Sequence, residues 1–122
     1  MLITGAKAIF AVQPVPTAKA ASATLTIAEL LTLLITTSGT TAIALTLPTG
    51  TLCDAGITAP ALPVGGFFDW AIINTGTSAA AVTLGAGTGH TIVGAAVVAI
   101  GTSAGWRTKK TAANTFVTYR TG

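Results

Sequence analysis

The sequence predicts an all-β domain, either a jelly-roll-like sandwich or a small barrel, with one short α-helix near residues 27–34. Three observations indicate this class. Short runs of alternating apolar side chains recur in the second half of the chain, separated by turn residues at intervals of about 8–12 residues. Threonine is frequent, and β-branched side chains pack well on pleated surfaces. Only one segment combines helical periodicity with a capping motif.

The charge content is low for a chain of this size. The 122 residues suffice for one domain with its own core. Charged residues make up 7 % of them, against about 25 % in ordinary soluble domains. Such a chain lies in a membrane or has its surface covered by protein partners. Thr, Gly, Asn and Pro interrupt both long uncharged runs, whereas a spanning helix needs about 20 mostly apolar residues. We therefore expect protein partners, no membrane and no signal peptide.

Residues 1–20 predict an extended N-terminal arm or a first strand, ahead of a single β domain over 21–122. Pro14 and Pro16 restrict the backbone to extended conformations. An arm would be long enough to lie on a neighbouring subunit; the alternative is simply the first strand of the domain. The residues of this segment that we predict at an interface are Leu2, Ile3 and Phe10.

The helix prediction depends on a capping box. Thr26 and Glu29 have the spacing at which the hydroxyl and the carboxylate each bond the other residue's backbone amide. Apolar residues then recur at helical spacing, which predicts a helix over 27–34 that ends in the polar run 36–39. The residues on its apolar face are Ile27, Leu30, Leu31 and Leu34.

The remaining elements follow from alternation and turn residues. We predict a strand over 41–47, a turn of helix over 51–57, and strands over 67–74, 80–84, 90–93, 95–100, 106–110 and 115–120. The last two strands form a closing hairpin. In the 67–74 strand one face carries Phe68, Trp70, Ile72 and Asn74.

The glycine-rich segment 85–91 superficially resembles a phosphate-binding loop. The P-loop pattern needs glycine where Leu84 stands and lysine where His90 stands. It also needs a following helix N-terminus, and the next residues favour a strand. We predict a hairpin turn here and no nucleotide cofactor.

The chain offers little for catalysis or metal binding. His90 is the only histidine and Cys53 the only cysteine, whereas structural zinc takes four nitrogen or sulfur ligands. A shared site would need copies of His90 on a trimer axis. A nucleophilic mechanism would need His90 as base, oriented by Asp54, Asp69 or Glu29. The lone cysteine permits no internal disulfide and fits a reducing cytoplasm. We predict a non-enzyme without metal or cofactor.

Half of the six Lys and Arg residues lie within residues 106–110. On a strand, Arg107 and Lys109 share one face, and Trp106 and Lys110 share the other. The segment is either a basic edge that docks on an acidic partner or a solvated edge protected by lysines. These cations are too few for a nucleic-acid footprint. The residues that we predict at an interface here are Trp106, Arg107, Lys109 and Lys110.

Three segments together resemble small structural proteins of tailed-bacteriophage virions: FFDWAIINTG, AVTLGAGTGHTIVG and WRTKKTAANTFVTYR. The preceding TIAELLTLLITTSGTTAIALTLPTG is similar to the same group, so the resemblance covers residues 25–120. The group includes capsid decoration (cement) proteins and fibre- or tail-associated proteins, and it carries no catalytic residues to transfer.

The resemblance implies a virion structural protein, and we favour a cement protein of the capsid surface, made in the host cytoplasm. It would bind the major capsid protein of the assembled shell as a homo-oligomer, with a trimer favoured. The alternative is a fibre- or tail-associated module that recognises a host-surface glycan on exposed Trp70 and Trp106. A small hydrolase that uses His90 is the third possibility.

Overall fold

The computed structural model describes residues 2–4, 9–58 and 60–122, with side chains from residue 11 onward except at 59. Strands dominate the described residues, and two short helices interrupt them there. In chain order the elements are β1 (Leu2–Thr4), β2 (Ile9–Ala11), β3 (Thr17–Lys19), β4 (Ala23–Thr24), α1 (Ile27–Leu30), β5 (Leu34–Thr37), β6 (Ile43–Thr46), α2 (Gly50–Gly56), β7 (Phe67–Asn74), β8 (Val82–Gly85), β9 (His90–Val93), β10 (Val97–Val98), β11 (Ser103–Ala112) and β12 (Thr115–Arg120).

The strands form two large sheets and a separate β1–β2 pair. The six-stranded sheet has the order β3-β5-β7-β11-β12-β9, and the four-stranded sheet has the order β10-β8-β6-β4. From β3 to β8 the chain alternates between these sheets, with β3, β5 and β7 parallel in one and β4, β6 and β8 parallel in the other. Strands that follow one another in this part of the sequence are therefore not hydrogen-bonded neighbours.

The structure confirms the all-β class, and its two packed sheets correspond to the sandwich alternative. The closing hairpin is also confirmed, with β11 and β12 antiparallel around Asn114 at a positive φ of 54°. The hairpin predicted at 85–89 is wrong. β8 and β9 belong to different sheets, so this glycine segment crosses from one sheet to the other.

The predicted helix is present but short. Thr26 and Glu29 form both bonds of the capping box. The helix ends at Leu30 rather than 34 because Leu33 adopts a left-handed φ of 67°, which a helix cannot contain. The following residues, predicted as helix end and turn, form β5 instead. Their β-branched side chains suit a strand beside β7.

The core lies between the two sheets. On β7 the predicted alternation is confirmed, because Trp70, Ile72 and Asn74 are buried while Phe67, Asp69 and Ile73 are exposed. Both sheets and α1 contribute to one continuous cluster of buried apolar side chains: Leu25, Leu30, Ile35, Ile43, Leu45, Leu47, Trp70, Ile72, Val82, Leu84, Val98, Ala104 and Trp106.

The N-terminal segment is described only in part. The backbones of β1 and β2 pair antiparallel, with Leu2 opposite Ala11. β3 joins the edge of the six-stranded sheet beside β5, so residues 17–19 belong to the body of the fold. The interface predictions for Leu2, Ile3 and Phe10 fall on side chains outside the described ones.

Candidate functional site

A trough lies on the face of the six-stranded sheet that points away from the core. Its volume is about 470 Å³, and β7, β11 and β12 supply most of its walls. Arg107 and Lys109 share this outer face, as predicted, because their neighbours Trp106 and Thr108 point into the core. The residues that line the trough are Gly65, Phe67, Arg107, Lys109, Tyr119 and Thr121.

Arg107 is held in one orientation by two neighbours on β7. Its Nε and Nη2 donate to Asp69 Oδ1 and Oδ2 at 2.7 and 3.0 Å. Its Cζ lies 4.0 Å from the centroid of the Phe67 ring, a cation–π geometry. The bonds from Arg107 hold the pKa of Asp69 below its usual value, and those to Asp69 raise the pKa of Arg107. These contacts fix the orientation of the guanidinium.

Lys109 is the cation of the trough for which the described residues provide no carboxylate partner. The chain contains three acidic side chains, and each is paired elsewhere: Glu29 with Lys19, Asp69 with Arg107 and Asp54 with Lys110. Among the described side chains no acid therefore remains for Lys109, and its charge faces the open trough.

Lys110 has a structural role instead of the surface role predicted for it. Its side chain is 14 % exposed, and its Nζ donates to Asp54 Oδ1 at 2.6 Å and to the Leu62 carbonyl at 3.3 Å. The bond from Lys110, followed by that from the Asn114 amide, lowers the pKa of Asp54. This cluster fastens α2 to the tip of the β11–β12 hairpin, so the ammonium group of Lys110 is engaged within the chain.

The interface prediction for Trp106 is wrong. Its side chain is 0 % exposed and stacks on Trp70 with ring centroids 5.8 Å apart. Trp70 is buried as well, at 3 % exposure. The two tryptophans belong to the core, so they cannot form the exposed platform suggested for glycan binding. The guanidinium of Arg120 covers the Trp106 ring, 5.1 Å from its centroid.

Phe67 and Tyr119 are the two aromatic residues of the trough, and neither was singled out from the sequence. Register pairs Lys109 with Phe67 on one side of β11 and Arg107 with Tyr119 on the other. The alternation along each strand places both side chains on the outward-facing side. That they meet in one trough follows only when β11 is known to lie between β7 and β12.

His90 lies inside the protein, in a chain of four hydrogen bonds. Trp70 Nε1 donates to Thr108 Oγ1 at 2.9 Å, Thr108 and Thr118 hydroxyls lie 2.8 Å apart, and Thr118 Oγ1 lies 2.6 Å from His90 Nε2. His90 Nδ1 lies 3.1 Å from the Pro48 carbonyl. The indole only donates and the carbonyl only accepts, so the two end bonds have fixed directions, whereas the directions of the two middle bonds depend on the protonation state of His90.

In the neutral ring, which burial favours, the Pro48 carbonyl takes the Nδ1 hydrogen, so Nε2 accepts from Thr118 and Thr118 accepts from Thr108. Burial lowers its pKa, and the bond to Pro48 opposes that shift only in part. Cys53 Sγ lies 3.9 Å from His90 Nδ1, but burial and the charge of Asp54 raise the pKa of the thiol to about 12. Neither group is activated: a protonated thiol is a poor nucleophile, and the imidazole is occupied on both nitrogens.

Two earlier suggestions about His90 are therefore overturned. At 3 % exposure it cannot meet its copies on a trimer axis. In the described part of the chain no carboxylate orients it either, because its ring partners are Thr118 and Pro48. Among the described residues there is no group of three or more side chains suited to a metal.

The glycines of the segment 85–89 serve close packing rather than phosphate binding. A Cβ on Gly87 would lie 2.8 Å from the Leu47 carbonyl oxygen, and one on Gly89 would lie 2.7 Å from that of Asn114. Gly89 also has a φ of 74°. The carbonyls of Gly85, Gly87 and Thr88 accept amide hydrogens from Leu47, His90 and Gly50. The glycines and carbonyls of this segment are thus engaged in contacts within the chain.

Apolar side chains are exposed on other parts of the surface. A second cavity of about 520 Å³ lies beside α1 and α2, with Leu25, Ile27 and Leu52 among its lining residues. Among the described side chains, the large apolar residues of which half or more is exposed are Val12, Val15, Leu52, Val64, Phe67, Val93 and Val97.

None of the helices in the described part of the chain is long and apolar enough to cross a membrane. Comparisons with protein-family models, with curated proteins and with solved structures gave no significant match. The resemblance to virion proteins therefore stays a prediction from the sequence.

Proposed function

We propose that this chain is a capsid decoration (cement) protein of a tailed bacteriophage, which binds the assembled shell as a homotrimer and stabilises it. The observation that carries the proposal is the character of the surface. Its three carboxylates are all consumed in ion pairs within the chain. Charged residues make up 7 % of this chain, whereas well-soluble surfaces carry about 25–35 % charged residues of both signs. A surface with so few charges suits a protein that is covered by partners when it functions.

The exposed apolar side chains support the same role. Val12 and Val15 precede β3, Phe67 lines the trough, Val64 is next in sequence to its lining residue Gly65, and Leu52 lines the second cavity. They are distributed over several sides of the chain, as expected of a subunit with more than one neighbour. A cyclic trimer repeats one interface around its axis, which leaves other surfaces for the major capsid protein.

Stabilisation follows from mass action. A protein that binds the closed shell, and not its separated subunits, shifts the equilibrium towards the shell in proportion to its occupancy. No catalytic group is needed, and the neutral, buried His90 and the protonated Cys53 fit a purely architectural role. The host cytoplasm, where shells assemble, would be the site of synthesis.

The proposal is tested with shells that lack the protein. We expect the purified protein to have the native mass of three chains, to cosediment with these shells, and to raise the temperature at which they disassemble. Bovine serum albumin at the same concentration is the control for nonspecific protection. A protein that stays monomeric, does not cosediment and is absent from purified virions would refute the proposal.

A further inference from the structure

We propose that the trough over β7, β11 and β12 is a docking site for an acidic segment of a partner protein, one of whose carboxylates pairs with Lys109. That this partner is the major capsid protein rests on the proposed function. That the partner supplies a carboxylate is argued from the trough alone. Glu29, Asp54 and Asp69 are each engaged with another cation, so the chain itself cannot neutralise Lys109 through a side chain.

Arg107 supplies positioned donors beside this charge. Asp69 takes its Nε and Nη2 hydrogens, and among the described residues Nη1 has no acceptor. A carboxylate at Lys109 can therefore accept a second hydrogen bond from a guanidinium that is already fixed by Asp69 and Phe67. Because Asp69 offsets the charge of Arg107, the trough carries a net charge of about one, which matches one carboxylate.

The walls of the trough favour a peptide over a free anion. Phe67 is 50 % exposed on one side, Tyr119 lines the other, and Val64, next to Gly65 in the sequence, is 64 % exposed. Apolar surface around a single cation accommodates the carbon atoms of an amino-acid segment. Aromatic residues and arginine are also enriched at protein interfaces. A nucleic acid would require several cations along one face, and among the described residues that line the trough only Lys109 is a cation without an ion-pair partner.

The probe is a short oligoglutamate peptide, titrated into the isotope-labelled protein at low ionic strength, where surface charges are least screened. We expect amide shifts concentrated around residues 65–67, 105–109 and 117–121. Lys109→Gln should weaken the affinity about three- to fivefold, the scale of one exposed ion pair. Lys19→Gln is the control for net charge, since it removes the same charge on the edge strand β3, where Lys19 pairs with Glu29 and does not line the trough. It should change the affinity less than about twofold.

Equal losses for the two variants would show a net-charge effect and overturn the proposal, as would shifts spread over the whole surface. Tighter Lys109-dependent binding of a single-stranded oligonucleotide than of oligoglutamate would overturn it too, in favour of phosphate. Wild type and both variants are then tested for cosedimentation with shells. If oligoglutamate binds but wild type does not cosediment, the trough stands and the cement function falls. If wild type cosediments and Lys109→Gln does so equally well, the function stands and the trough proposal falls.

Discussion

The two faces of the β11–β12 hairpin differ in almost every physical respect, although their residues alternate along the same strands. The inner face carries Trp106, Thr108 and Thr118, which are all 0 % exposed. The polar atoms of the two threonines are joined in a directional hydrogen-bond chain. The outer face carries Lys109 and Tyr119, which line an open trough. Adjacent residues on these strands therefore differ in role: one packs in the core, and the next is accessible to a partner.

This difference shows how a chain with few charges uses neutral groups for its core and charged groups elsewhere. The inner face uses neutral polar groups: the hydroxyls of Thr108 and Thr118 are hydrogen-bonded, while Trp106 Nε1 is buried without a partner among the described residues. The charges that remain either fasten elements together, as Lys110 does with Asp54, or stay at the surface. Substitutions at neighbouring positions on the two faces test this difference, because they should have very different effects on the free energy of unfolding.

The largest effect is expected at the centre of the inner face. Trp106→Ala should lower the free energy of unfolding by about 3–5 kcal/mol, because it leaves a large cavity against Trp70. Urea denaturation followed by circular dichroism measures the change. A loss below about 1 kcal/mol, the range of surface substitutions, would show that Trp106 is not a core residue.

An intermediate effect is expected from Thr118→Val, which keeps the shape and removes the hydroxyl. It deprives His90 Nε2 of its donor and Thr108 of its acceptor. Leaving buried polar groups unpaired costs about 1–3 kcal/mol. The matched control is Val117→Thr, one residue away on the outer face, which should stay within about 0.5 kcal/mol of wild type. Equal costs for the two variants would remove the distinction between the faces.

The inner face should also make stability depend on pH. The pKa of His90 is lowered in the folded protein, so the unfolded chain takes up the proton first as pH falls. Stability should be constant well above pH 6.5, the ordinary histidine pKa, and should fall below it by up to about 1.4 kcal/mol per pH unit. Urea midpoints between pH 8 and pH 5 follow this loss.

His90→Gln provides the control for that pH dependence. The variant should be less stable than wild type at pH 8, because Gln does not reproduce both ring bonds, but its stability should hardly change down to about pH 5.5. If it loses stability with acid as steeply as wild type does, another group is responsible.

The smallest effect on folding is expected on the outer face. Lys109→Gln should change the free energy of unfolding by less than about 0.5 kcal/mol, because Lys109 has no ion-pair partner among the described residues. Thermal unfolding of the variant beside wild type measures this. A larger loss would mean that Lys109 serves the fold and is not available to a partner.

Local features of the fold could be predicted from the sequence. The Thr26–Glu29 capping box, the alternation along residues 67–74 and the turn at Asn114 depend on neighbouring residues. The end of α1 could not be located, because the apolar run after Leu30 suits a helix and a strand equally, and a positive φ at Leu33 decides between them.

Features that depend on distant partners could not be predicted. The parallel pairing of β5 with β7 and of β6 with β8 joins strands from alternate crossings of the core, and short alternating runs carry no mark of their neighbours. The burial of Trp106 and the capture of Lys110 by Asp54 have the same origin. The face that Arg107 and Lys109 share was predictable, since alternation alone sets it.

Selective labelling of lysines on virions tests the central claim most directly. Free protein and purified virions are treated with an amine-reactive reagent, and modification of Lys109 and Lys19 is followed by peptide mass spectrometry. If the chain decorates the shell through the trough, Lys109 should react at least about tenfold more slowly on virions than in free protein, and much more slowly relative to Lys19. Equal reactivity of Lys109 in the two states, or no peptide of this chain in virions, would contradict the account.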